Sequence, residues 1–348
     1  MHNLQLTEDQ DMIVDTVRKF VADVVAPKAQ ELDEHRNFVR DQFDGLAELG
    51  VFGLSIAEAD GGAGMGLLPF VAALEAVGAQ SSSLARLWIG QAQCAAALAS
   101  SAAEVAADVI AGAKLATFVG PEHGIVLAGD KVTGTARIVA AGLAADRFVV
   151  AATEAGVPVL VVVEAANTRR QPLTTLGLAS AGCALVQFEA AAVVLVVRGA
   201  AEAIAKAQVI AAIGVAATTV GAGFASLTAA KKHAGERIAF GKPLLVQEAV
   251  QRKLVDCKRQ LDAARQLAWH AARVADLGQD ATEAAITARL AAVDACVNAA
   301  DEAIQIHGGF GYTVEYHVER HYRDGKMFDV LDGGGEALRN RLAALQFA

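Results

Sequence analysis

The sequence predicts a mostly α-helical protein with a central β-domain, and two observations lead to that prediction. Alanine dominates a composition that is 54% hydrophobic but only 5% aromatic, and alanine both favours helices and lets them pack closely. The apolar spacing changes from a helical to a strand-like period near Leu115 and becomes helical again at Ala201. We therefore expect an N-terminal helical domain at 1–113, a middle β-barrel domain at 114–200 and a C-terminal four-helix bundle at 201–348.

The N-terminal domain is predicted to begin with a helix that a capping box at Thr7–Gln10 opens. Pro27 is predicted to end that helix, because proline cannot continue the hydrogen-bond ladder of a helix interior. Four further helices are expected at 39–49, 67–78, 83–99 and 102–112.

The middle domain contains short β-rich runs that glycine, aspartate and proline separate. Six such runs are predicted, at 115–119, 131–139, 146–152, 158–163, 184–188 and 192–197. This spacing favours a small barrel or sandwich. Four helices with apolar faces then follow, at 201–234, 250–268, 281–306 and after Glu336, and they predict a bundle.

Charge and cysteine usage exclude several classes of function. The net charge is −9 without a basic run, so we expect no nucleic-acid partner. The cysteines are far apart in the sequence, which predicts buried thiols in a reducing compartment. The N-terminus lacks an apolar signal core, and no apolar run approaches the ~20 residues of a membrane span. We expect a soluble cytoplasmic protein with no membrane partner.

Two motifs in the C-terminal region combine residue types that suit a phosphate-bearing cofactor. One runs from Arg237 to Gln247 as RIAFGKPLLVQ, and the other begins at Gln305 as QIHGGFG. An arginine fork matches a pyrophosphate in one plane. Glycines at a helix end let a ligand approach the backbone closely. A helix hairpin with an incidental arginine would explain the first motif alone, but not both.

Together with the ERHYRD and DGGGE segments that follow, these motifs resemble the acyl-CoA dehydrogenase family. The resemblance implies a three-part fold, an acyl-CoA substrate and an FAD cofactor. It also implies that a set of residues holds the pyrophosphate and adenosine end of the FAD of a neighbouring subunit. That set is Arg237, Phe240, Gln247, Gln305, Gly308 and Gly309.

The residues that would hold the chain's own flavin depart from the family pattern. The family's T-E-P-x-x-G-S-D loop is reduced to Phe118–Gly124, and its G-x-K-x-W-I-T strand aligns with Gly134–Ala140, which has neither the Trp nor the Thr. Ala212 stands where the family has an arginine that positions the substrate. Ala211 stands at the alternative position of the catalytic base.

This asymmetry resembles the smaller subunits of heterotetrameric acyl-CoA dehydrogenases of bacterial steroid and sterol breakdown. The resemblance implies a larger partner subunit in an α2β2 assembly and an electron-transfer flavoprotein as acceptor. Two alternatives stay open within enzymes: a self-sufficient homotetramer, or a nitroalkane-oxidase-like flavoenzyme, each with Asp332 as base. A third alternative is a non-catalytic subunit that only stabilises a partner.

Asp332 is the candidate catalytic residue, since it stands where the family has its catalytic glutamate. Asp is shorter than Glu by one C–C bond, ~1.5 Å, so it acts either as a base in a remodelled site or as the N-cap of the helix that follows. His317 and His321 are four residues apart, a spacing that could share a metal on a helix. Without a third ligand we interpret them as surface or interface residues and expect no metal.

Overall fold

The structure, a computed structural model, describes residues 4–239 and 241–347. Phe240, one of the predicted cofactor contacts, therefore lies outside the described residues. The described N-terminal region forms the helices α1 (Glu8–Phe20), α2 (Ala26–His35), α3 (Arg40–Glu48), α4 (Leu68–Gln80), α5 (Ser82–Leu98) and α6 (Ala103–Ile110). The capping box is confirmed, because the Thr7 hydroxyl accepts from the Gln10 amide while the Gln10 side chain accepts from the Thr7 amide.

Pro27 does not end the first helix, so that prediction is wrong. A single π-helical segment, Val21–Val25, joins α1 to α2, and Pro27 lies in the first turn of α2. Proline lacks an amide hydrogen, and in the first turn of a helix that hydrogen would have no partner within the helix. The helix ends instead at Arg36, which adopts a left-handed conformation with φ 54°.

The middle region is one eight-stranded sheet in the described residues. Its strands are β1 (Ala116–Val119), β2 (Ile125–Ala128), β3 (Lys131–Val139), β4 (Arg147–Glu154), β5 (Val157–Glu164), β6 (Arg169–Pro172), β7 (Ala184–Ala192) and β8 (Leu195–Arg198). Their order is β6-β7-β3-β2-β4-β5-β8, and β1 pairs in parallel with β4. All six predicted runs correspond to strands. The two that were not predicted, β2 and β6, are only four residues long, and β6 is a polar edge strand.

The sheet curves around its own apolar core. Phe148 on β4 and Phe188 on β7 meet edge to face with ring centroids 5.9 Å apart, although two strands separate β4 from β7 in the sheet order. In a flat sheet, strands three places apart would be about 14 Å from each other. Side chains from β1 to β5 and from β7 line this core, as the predicted barrel requires.

The C-terminal region contains the helices α7 (Ala201–Glu236), α8 (Glu248–Asp276), α9 (Thr282–His307), α10 (Val318–Phe328) and α11 (Gly334–Phe347). The four predicted helices are present, and α10 adds a fifth within the described chain. Helix α10 is rich in charged residues but strongly amphipathic, and its apolar face buries Val318, Met327 and Phe328.

Helix α7 corrects the expectation that no apolar run could span a membrane. By length and composition it is apolar enough to do so, but 83% of its most apolar window is buried inside the fold. It packs closely against α4. A Cβ added at Gly221 would lie 2.0 Å from the Glu75 backbone oxygen, and one at Gly78 would lie 2.4 Å from that of Thr218.

Helix α10 joins the three regions through two adjacent charged residues. The Arg323 guanidinium donates to Asp33 of α2 at 2.5 Å and to the Leu176 carbonyl in the middle region at 3.3 Å. The buried Asp324 carboxylate accepts from the Leu178 amide at 2.6 Å. These bonds fix the middle region against helices from both ends of the chain.

Candidate functional site

Three of the predicted cofactor contacts line one open cavity. Helix α9 ends at His307, and Gly308 follows with φ 63° and ψ −139°. Arg237, Gly308 and Gly309 border a cavity of about 640 Å³. A Cβ added at either glycine would meet no atom within 4 Å, so both glycines face open space. A cavity of this size is within the ~300–1,000 Å³ range of small-molecule and cofactor sites.

Arg237 presents an unpaired guanidinium to this cavity. Its backbone is fixed, since its amide donates to the His233 carbonyl and its own carbonyl accepts from Leu244. Its exposed guanidinium forms no ion pair or hydrogen bond with any residue that the structure describes. A free guanidinium beside two open glycines fits a phosphate group, because it can donate two parallel hydrogen bonds. These residues therefore suit the pyrophosphate of a dinucleotide such as FAD.

The other two described candidates, Gln247 and Gln305, do not line the cavity. Gln247 immediately precedes α8, where its carbonyl accepts from the Gln251 amide. Gln305 is exposed in the last turn of α9, and its carbonyl accepts from Gly308. Their predicted contacts with the cofactor remain predictions, as do those of the three lining residues.

Two histidines beside Arg237 were not predicted from the sequence as site residues. The imidazoles of His233 and His307 stack with their centroids 4.2 Å apart, and both line the same cavity with Tyr316 and the half-exposed Phe310. Their positions in the sequence could have indicated this role, since His233 is four residues before Arg237 and His307 lies inside the QIHGG motif.

Asp332 is held by two arginines. Its carboxylate accepts from Arg86 of α5 at 2.8 Å and from Arg289 of α9 at 3.0 Å. Burial alone would raise the pKa of Asp332, but the charges of the two guanidiniums lower it below the usual value. The N-cap prediction is wrong, because both carboxylate oxygens bind guanidinium groups and no backbone amide in the described chain donates to them. A doubly paired carboxylate with a lowered pKa is a weak base.

Glu122 is a second carboxylate at this place, and sequence analysis missed it. Burial and the nearby Asp332 raise the pKa of Glu122 to about 7, while its own backbone hydrogen bond and the two arginines oppose that shift. A Cβ at Gly120 would lie 2.2 Å from a Glu122 carboxylate oxygen, so the glycine leaves room for the carboxyl group. His123, whose own pKa is lowered by burial, is 3.3 Å from the Glu122 carboxylate.

These charges leave little space where the chain's own substrate would bind. Asp332, Glu122 and Arg289 line a cavity of about 40 Å³ together with Ala211 and Ala212. That volume accommodates one or two water molecules, against the ~300–1,000 Å³ of typical ligand sites.

His317 and His321 lie in different environments. His321 is buried, and burial and neighbouring arginines lower its pKa to about 3. His317 lies 3.9 Å from the Glu34 carboxylate. Within 4–239 and 241–347, no cluster of three His, Cys, Asp or Glu side chains could hold a metal ion. All four cysteines are buried, as predicted.

Comparison with known proteins assigns this fold to a family. Residues 7–107 match the N-terminal domain of acyl-CoA dehydrogenases, and residues 206–346 match the C-terminal domain. The chain is 30% identical to benzylmalonyl-CoA dehydrogenase of Aromatoleum aromaticum, over 96% of each chain. The structure superposes with a TM-score of 0.91 on butyryl-CoA dehydrogenase of Megasphaera elsdenii (25% identity, 99% of each chain). The TM-score is also 0.91 for a chain from a study of the electron transferring flavoprotein of Acidaminococcus fermentans (28% identity, 100% of each chain).

The fold and the matches define an oxidoreductase class that acts on CH–CH bonds. The chain belongs to the acyl-CoA dehydrogenase family. FAD-dependent dehydrogenation of acyl-CoA thioesters is the reaction of that family, so the predicted fold class and enzyme class are confirmed.

Proposed function

We propose that this chain is the subunit of a heteromeric acyl-CoA dehydrogenase that completes the flavin site of a larger partner. One contrast supports the proposal. The cavity beside Asp332 is about 40 Å³ and is bordered by the Arg289–Asp332 ion pair, whereas the cavity beside Arg237 is about 640 Å³ and is bordered by an unpaired guanidinium. The chain has thus closed the site that would serve itself and kept the surface that would serve a neighbour.

The residues of this chain would act in binding. Arg237 would neutralise the pyrophosphate of the partner's FAD, and Gly308 and Gly309 would let that group approach the backbone. Bound FAD would supply the acceptor for the hydride of the thioester β-carbon. The base that removes the α-proton belongs to the partner in this proposal, because Asp332 is occupied by Arg86 and Arg289.

The proposed assembly is an α2β2 heterotetramer that passes electrons to an electron-transfer flavoprotein. The aromatic residues near the open cavity support an interface there, since Phe310, Tyr312 and Tyr316 are all at least 42% exposed, and exposed aromatic groups favour protein contacts. The likeness to small subunits of steroid-degrading enzymes makes a CoA thioester of a steroid or sterol side chain the first substrate to test.

FAD loading tests this function directly. We expect the chain expressed alone to bind little FAD and the complex with the larger subunit that co-purifies with it to hold about one FAD per heterodimer. Absorbance of released flavin, divided by protein concentration, gives the stoichiometry. One FAD per chain in the isolated protein would contradict the proposal and support the self-sufficient alternatives.

Arg237→Ala in the same complex tests which cavity faces the flavin. Loss of a charge-assisted hydrogen bond costs about 1.5–3 kcal/mol, so the Kd for FAD should rise at least about tenfold. Arg320→Ala, also a cation of the C-terminal region but outside the cavity, is the matched control and should leave the Kd unchanged. Equal FAD affinity in wild type and Arg237→Ala would show that this cavity does not face the cofactor.

A further inference from the structure

The imidazole pair in the open cavity has a defined protonation pattern. The His307 Nδ1 atom is 2.7 Å from the Ala303 carbonyl oxygen. Because a carbonyl only accepts hydrogen bonds, Nδ1 of His307 must carry a proton. The His307 ring is thereby fixed in orientation and serves as the base of the stack on which His233 lies, with an interplanar angle of 29°.

His233 is the member of the pair that can change its charge. It is only partly buried, and the charged or titratable groups that border its side of the cavity are Arg237, Glu236, His307 and Tyr316. Burial, then His307, then Arg237 lower the pKa of His233, and Glu236 partly opposes them. The pKa of His233 therefore lies below its ordinary value while no anionic ligand occupies the cavity.

An anion beside Arg237 would reverse this balance. It would cancel the repulsion between Arg237 and an imidazolium, and it would itself attract the proton. A protonated His233 could then donate a charge-assisted hydrogen bond to a phosphate oxygen.

We infer that His233 is a proton-coupled ligand for a diphosphate group, taking up a proton when the anion binds between Arg237 and the two glycines. The inference rests on the proposed role of this cavity as a nucleotide site and adds a ligand and a pH dependence to it. By linkage, affinity for the anion should increase as the pH falls, by at most about tenfold per pH unit for one proton.

A histidine titration in the full-length chain tests the inference. NMR of protein labelled at histidine Cε1 would follow each imidazole from pH 5 to 9, with and without saturating inorganic pyrophosphate at constant ionic strength. We expect the midpoint of His233 to rise by about one unit, a tenfold change in proton affinity, while His123 in the middle region serves as the unaffected internal control. An unchanged His233 midpoint, or no pyrophosphate binding at this cavity, would overturn the inference.

His233→Phe separates protonation from packing. Phenylalanine keeps an aromatic ring on His307 but cannot take up a proton. Pyrophosphate binding should weaken about threefold to sevenfold at pH 6 and stay within about twofold of wild type at pH 8.5. Equal losses at both pH values would mean that the ring acts by packing alone, which overturns the inference. FAD loading of the partner complex is measured separately, so failure of the proposed function and failure of this inference can be told apart.

Discussion

Asp332 illustrates how neighbouring side chains decide the role of a carboxylate. The sequence resemblance places it where the family has its catalytic glutamate, yet it lies between Arg86 and Arg289, which are only 5% and 3% exposed. Its backbone is also held at φ 55°, a conformation that costs a non-glycine residue about 1 kcal/mol or more. Two buried guanidinium groups without a countercharge would cost far more than this strain. Neutralising Arg86 and Arg289 therefore explains why a carboxylate is present at position 332.

Asp332→Asn is expected to reduce stability more than turnover. The substitution leaves Arg86 and Arg289 without their common countercharge, so the free energy of unfolding should fall by about 3–5 kcal/mol. In an assembled, flavin-loaded complex, kcat should stay within a few-fold of wild type. Urea unfolding and steady-state kinetics check the two parts. A drop in kcat of ~100-fold or more with stability unchanged would instead identify Asp332 as the base.

Glu122→Gln is expected to stabilise the protein at high pH only. The pKa of Glu122 is raised from its ordinary value to about 7 in the folded chain, so the folded state keeps a proton that the unfolded state releases. Stability is therefore lost as the pH rises between about 4.5 and 7. Glutamine removes that loss and should add on the order of 1–2 kcal/mol at pH 8 but little at pH 4.5.

Unfolding in urea at both pH values measures this effect. Glu31→Gln, on the exposed surface of α2, is the control and should change neither value by more than about 0.5 kcal/mol. If Glu122→Gln lowers stability at pH 8, then the ionised carboxylate supports the two arginines and our assignment of its pKa is wrong.

At the scale of single residues, the sequence predicted the motifs but not the charge cluster. Arg237, Gly308 and Gly309 could be proposed as cofactor contacts because each lies in a short segment with a family pattern. Arg86 is 246 residues from Asp332, and Arg289 is 43 residues from it. No local spacing records contacts over such distances. Glu122 escaped notice because an unusual environment, which is a tertiary property, sets its pKa.

At the scale of elements, the contact between α4 and α7 depends on glycine. Gly221 lies against the Glu75 backbone, where even a methyl group would come within 2.0 Å. Gly235 lies in the same helix, and a Cβ there would meet nothing within 4 Å. The two positions thus provide a comparison of the same substitution in a packed and an open environment.

Gly221→Ala should destabilise the protein, and Gly235→Ala should not. Forcing a methyl group against a backbone carbonyl costs about 1–3 kcal/mol or more, because the two helices must separate. Alanine at the open position should instead add up to about 1 kcal/mol through its higher helix propensity. Urea unfolding of the two variants against wild type checks both signs. A neutral Gly221→Ala would mean that the helices adjust without cost.

Elements with a regular apolar pattern were the predictable ones. The capping box at Thr7 and the long helices α7, α8 and α9 follow from local signals. Pro27 misled the prediction, since a π-helical segment lets the chain continue as a helix around it. Helix α10 was missed because its polar face supplies most of its sequence, and β6 was missed because it is a polar edge strand.

At the scale of the whole molecule, the order of helices, strands and helices was predictable from composition and family resemblance. What the sequence could not predict is how the three regions are joined. Arg323 and Asp324 in the ERHYRD segment contact α2 and the loop before β7, so they connect segments that are more than 140 residues apart. This motif therefore holds the middle region in place without contacting the open cavity.

If the small cavity at Asp332 holds no flavin, the cell must make the two subunits in equal amounts. In the proposed α2β2 assembly, four chains would hold only two flavins, one at each site shared between unlike subunits. A surplus of this chain would remain without flavin, and a surplus of the partner would lack Arg237 for its cofactor. The amount of active enzyme would then be set by the scarcer of the two polypeptides, whatever the supply of flavin.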